Sequence, residues 1–102
     1  MTINTACSSC LVAVHLATQA LRPGDSRIPL VCGSNRLLGP EHYIGYSKLK
    51  MLSPDGRSKM WDQDANGYAI GNGVAVVVLK TLSAAIEEGN RVGKLISLSK
   101  SP

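Results

Sequence analysis

Apolar residues crowd the chain from Cys10 to Leu21, and polar His15, Thr18, Gln19 and Arg22 recur at steps of three, four and seven. That spacing predicts a helix over residues 8–21, mostly buried with one narrow wet stripe and ended by Pro23 and Gly24. The short apolar run at 28–33 predicts a buried strand. Residues 40–49 predict a second, shorter helix with proline at its start. A polar stretch rich in Gly, Asp and Asn fills 53–72. Residues 74–79 give the strongest strand signal, and Ser83 is placed to cap a helix that runs through Glu88 and stops at Gly89. Alternating helices and strands predict an α/β fold.

With 102 residues the chain makes at most one small domain. Hydrophobic residues make up 44%, yet there is no Phe, one Trp and three Tyr against ten glycines. Small side chains of that kind suit closely packed layers of helix on sheet. The net charge of +4 is mild. Its basic residues, such as Lys48, Lys50, Arg57 and Lys59, stand without interleaved aromatics, so no nucleic-acid partner is expected. The longest apolar run, 74–79, falls far short of the ~20 residues that a membrane helix needs, so no membrane association is expected. No basic leader followed by an apolar stretch opens the chain, and its three cysteines are an odd number. Both features lead us to expect free thiols and a cytoplasmic setting.

Candidate chemistry centres on Cys7, expected in the first turn of the first helix with Thr5 or Asn4 as cap. Unpaired N–H groups and the helix dipole favour a thiolate there, and small Ala6, Ser8 and Ser9 leave room for an electrophile. A buried, inert thiol is the competing reading. Cys10 and Cys32, embedded in apolar segments, are expected to be inert. Cys7 and Cys10 share a redox-dithiol spacing, but the strand that should precede such a motif is missing. A zinc site would need a second pair, and His15 and His42 stand alone at unsuitable spacing. Asp62, Asp64, Asn66 and Gly67 open like a calcium loop, but its twelfth position is Gly73 rather than Glu. Turns built on Asx side chains are the expected role for that segment. No metal site is expected.

Four motifs stand in order: Thr5-Ala6-Cys7-Ser8-Ser9, Leu11-Val12-Ala13-Val14-His15, Met51-Leu52-Ser53-Pro54-Asp55-Gly56-Arg57 and Asp64-Ala65-Asn66-Gly67-Tyr68. Together they resemble the β-ketoacyl synthase domain of fungal type I polyketide synthases, of the highly reducing class or fused to peptide synthetase modules. The resemblance implies part of the thiolase-like α/β/α/β/α fold, with residues 1–92 a partial ketosynthase domain and 93–102 a divergent, dispensable tail. It implies that Cys7 accepts an acyl chain from phosphopantetheine on an acyl carrier protein. Decarboxylative Claisen condensation with a malonyl thioester then follows, in a domain expected to be a homodimer. No cofactor is expected on the chain itself. The family's two catalytic histidines belong to other motifs, so the isolated chain is expected to be inactive in condensation. A fatty-acid-type ketosynthase and a non-catalytic interaction protein are the alternatives. The family usually carries Asp, Ser, Arg and Glu where Asn4, Cys10, Ile70 and Asn72 stand here.

Overall fold

A computed structural model describes residues 1–96. Most of the expected 93–102 tail, residues 97–102, therefore lies outside the described residues. The elements in order are α1 (Ser9–Leu21), β1 (Leu30–Asn35), α2 (Glu41–Lys48), β2 (Gly73–Val78) and α3 (Leu82–Glu87). Each lies within two residues of its expected place. β1 and β2 pair as a two-stranded sheet. The Leu79 N–H meets the Pro29 carbonyl near one end, and the Asn35 amide meets the Gly71 carbonyl near the other, so the strands run in opposite directions.

The chain divides into two units, Met1–Gly33 with the chain from Val76 onward, and Ser34–Ala75. In the first unit α1 ends where Pro23 cannot continue a helix. The Ala20 carbonyl then accepts from Ser26 N–H at 3.1 Å. The core holds Val31, Leu79 and Ala85. The Lys80 ammonium binds both the Glu88 carboxylate and the Asn90 side-chain oxygen, and Arg27 reaches Glu88 at 3.3 Å. α3 is capped by Thr81, whose extended backbone lets its hydroxyl accept from Ala84 N–H at 3.4 Å. Ser83 lies inside the first turn instead, which corrects the expected cap. At the other end Asn90 N–H bonds to Ala85 and Gly89 N–H to Ile86, with Gly89 at φ +66°. This is a Schellman closure on the residue type that suits it.

The second unit begins α2 at Pro40, with Glu41 in its first turn and Lys48 in its last, charges that complement the helix dipole. α2 closes in the same manner as α3, Met51 N–H to Tyr46 and Lys50 N–H to Ser47, but Lys50 takes the left-handed position at φ +55°. The polar stretch beyond it is ordered by hydrogen bonds. Leu52 bridges to Tyr68, whose N–H donates to the Met51 carbonyl while Ser53 N–H donates to the Tyr68 carbonyl. Buried Ser53 donates through its hydroxyl to the Asn66 oxygen at 2.9 Å. Asn66 in turn donates to Asp55, which also holds Lys59. Gly67 lies so close under this crossing that a Cβ there would stand 2.5 Å from Ser53 N. Trp61 takes φ +72° and is 94% exposed.

Burial departs from expectation. No residue of α1 is fully buried, β2 is exposed along its whole length, and only Val31 of β1 is buried. A two-stranded sheet offers one narrow face, and apolar faces of this extent need a further layer to cover them.

Candidate active site

The chain reaches Cys7 through a sharp bend. Ala6 stands at φ +58°, a left-handed backbone uncommon for a residue with a side chain. A helical residue needs φ near −63°, so α1 cannot start until the bend is complete. It starts at Ser9, with Ser8 as its cap residue and no side-chain cap bond. Cys7 therefore precedes the helix rather than lying in its first turn, a correction that follows from the Ala6 conformation. Its thiol is free and exposed.

Four polar side chains shape the bend. The Asn4 oxygen accepts from Ala6 N–H at 3.1 Å. The Ser8 hydroxyl donates to the Thr5 carbonyl at 2.8 Å and lies 2.8 Å from the Thr5 hydroxyl. The Ser9 hydroxyl accepts from Thr5 N–H at 2.9 Å and donates to the Ala6 carbonyl at 2.6 Å. Neither Asn4 nor Thr5 caps the helix, because their side chains bond within the bend. Asn4 also accounts for its own departure from Asp, since an amide oxygen accepts from Ala6 N–H as a carboxylate would.

The other cysteines do not occupy the embedded positions expected of them, for both are exposed. Cys10 nevertheless meets the sheet: a Cβ on Gly33 would lie 2.5 Å from its sulfur. His15 sits on the exposed stripe of α1, and the His42 ring lies 6.3 Å from that of Tyr46. Among the described residues no hydrogen bond joins His15 to Cys7.

Asp62 and Asp64 serve the loop itself, Asp64 N–H donating to the Asp62 carboxylate at 2.9 Å. Asn72 replaces the family's Glu with an oxygen that accepts from Leu37 N–H at 2.5 Å. Ile70 lines an open groove of about 750 Å³ in the second unit, together with Tyr43, Leu52, Pro54 and Tyr68. The Asp55 carboxyl is held below its ordinary range by its hydrogen bond to Lys59 and, next, by that to Asn66. Glu88 is lowered chiefly by its hydrogen bond to Lys80.

The fold matches that of thiolase-like condensing domains. Over 88% of this chain and 16% of the other, it superposes on the ketosynthase from module 6 of the bacillaene synthase of Bacillus subtilis 168 with a TM-score of 0.83 and 43% identity. The oxazolomycin ketosynthase domain OzmH KS7 of Streptomyces albus JA3453 gives 0.80 at 38% identity, over 87% of this chain and 16% of that one. Residues 1–85 match the model of the β-ketoacyl synthase N-terminal domain, and the chain belongs to that family. It is 75% identical to the highly reducing polyketide synthase calA of Penicillium decumbens over 94% of its own length. Over the same share it is 64% identical to the hybrid PKS-NRPS synthetase mycA of Thermothelomyces thermophilus. The chain spans about 3% of the length of the first of these curated relatives and 2% of the second.

The sequence pointed to Cys7 but not to the left-handed Ala6 or the Ser9 hydroxyl that bridges it. Three hydroxyls at Thr5, Ser8 and Ser9 within five residues were the available signal.

Proposed function

We propose that Cys7 is the acyl-accepting nucleophile of a ketosynthase acting in polyketide assembly. The observation that carries this reading is the exposed thiol on a left-handed bend directly ahead of α1, within the Thr-Ala-Cys-Ser-Ser run. The thiolate attacks the carbonyl of an acyl thioester carried on the phosphopantetheine of an acyl carrier protein. Cys7 gains the acyl group, having lost its proton, and the carrier thiol leaves and takes up a proton. A malonyl thioester then loses CO2, and its enolate attacks the Cys7 thioester. The β-ketoacyl product stays on the carrier, and the Cys7 thiolate is regenerated. Residues 1–92 are the ketosynthase part in this reading, and 93–102 are a tail outside the family pattern. A homodimer and a cytoplasmic location complete the reading, and no described helix is long and apolar enough to cross a membrane.

In this reading the 102-residue chain performs only the acyl-transfer half. A developing enolate oxygen requires positioned donors, each worth about 3–4 kcal/mol, and the family's donor histidines belong to motifs other than those that hold His15 and His42. Incubation with an acyl-pantetheine thioester, followed by peptide mass mapping, is expected to give one adduct, on Cys7, that Cys7→Ala abolishes. With a malonyl carrier added, no sustained CO2 release is expected. An adduct that survives Cys7→Ala, or one confined to Cys10 or Cys32, overturns the assignment.

A further inference from the structure

The Ser9 hydroxyl occupies an unusual place. It accepts from the N–H of the residue before Ala6 and donates to the carbonyl of the peptide that joins Ala6 to Cys7. The Ser9 backbone N–H reaches the same carbonyl at 3.1 Å. One side chain thus holds both sides of a residue whose left-handed backbone is strained for any residue with a Cβ. Such a conformation persists only where its surroundings over-determine it. A second fact gives the clamp its direction. Ser9 is the first residue of α1, so its hydroxyl moves with the helix rather than with the bend.

We infer that Ser9 is a positioning residue for Cys7, tying the bend to α1 so that the sulfur is presented at a fixed angle. The inference rests on Cys7 being the acyl acceptor. Ser9 donates nothing to the reacting thioester. Its contribution is geometric, and small displacements of a nucleophile are costly: a misplacement of about 1 Å can cost on the order of a hundredfold in rate.

The test compares the full chain with Ser9→Ala, Ser9→Thr and Thr18→Ala. The last removes a comparable helix hydroxyl, bonded to the His15 carbonyl, from a position outside the bend. The readouts are the saturation kinetics of Cys7 acylation by acyl-pantetheine, the exchange rate of the Thr5 amide and the circular dichroism of each protein. Ser9→Ala is expected to lower the maximal acylation rate tenfold to a hundredfold. Half-saturation and helicity are expected to hold, since alanine suits a first helical turn. The Thr5 amide is expected to lose its protection in the same variant. Ser9→Thr keeps the hydroxyl and should restore both, while Thr18→Ala should change neither. If Cys7 of the unsubstituted chain takes no acyl group, the functional reading and this inference fall together. If Cys7 is acylated and Ser9→Ala leaves that rate unchanged, only this inference falls. A Thr5 amide already unprotected in the unsubstituted chain overturns the clamp without recourse to any variant, and failure of Ser9→Thr to restore the rate does so as well.

Discussion

At the scale of single residues, two close approaches set what substitutions the chain can accept. Cys10 touches β1 where Gly33 has no side chain, and a Cβ there would press on the sulfur at 2.5 Å. Gly33→Ala is expected to destabilise the fold by no more than about 1 kcal/mol, the cost of turning the exposed Cys10 side chain out of its rotamer. Cys10→Ala in the same chain should recover part of the loss, a coupling that a double-mutant cycle under urea denaturation reads directly. Gly67 is the harsher case, because the atom in the way is the Ser53 backbone nitrogen, which no rotamer change can move. The Asx turn at Asp62 was legible in the sequence, since it follows from residue type and spacing. The Cys10 contact was not, for it joins residues 23 positions apart through a glycine that says nothing of its neighbour.

Among the elements, α2 and α3 share one C-terminal closure and differ in the residue at its left-handed position. Lys50 carries a strain there that Gly89 avoids. Lys50→Gly is expected to raise stability by up to about 1 kcal/mol, and Gly89→Ala to lower it by a similar amount. Both are measurable as shifts in the urea midpoint at constant m value. Thr81→Ala should cost about 1 kcal/mol for the lost cap, whereas Ser83→Ala should change little. Element positions were readable because apolar runs and Pro or Gly stops mark them locally. The choice of Thr81 over Ser83 was not, because both are good capping residues and the extended Thr81 backbone decides between them. The place of Cys7 ahead of α1 rather than in its first turn escaped as well, as nothing in the letters Ala6-Cys7 announces a positive φ.

For the molecule as a whole, the described core is three apolar residues, while Val74, Val76, Val77 and Val78 are all exposed. The isolated chain is therefore expected to be marginally stable and to bind an apolar dye such as ANS. The sequence showed the apolar faces but not whether this chain alone could cover them. Acid should weaken it further. The Asp55 and Glu88 carboxyls are held below their ordinary values by Lys59 and Lys80. Their contribution is complete above the unfolded carboxylate range near pH 4 and is lost as pH falls through the lower folded values. The urea midpoint is expected to drop across that acid window, with a smaller drop in Asp55→Asn.

Trp61 is the chain's only tryptophan, and its ring stands almost wholly in water. Every photon of indole emission therefore reports on one place, the bend at 60–61. A free chain should fluoresce as a solvated indole does, and whatever is laid across that bend will dry the ring and move the spectrum to the blue. Titration with an acyl carrier protein turns this shift into an isotherm without any label. A partner that binds by another method while leaving the spectrum unmoved has docked elsewhere.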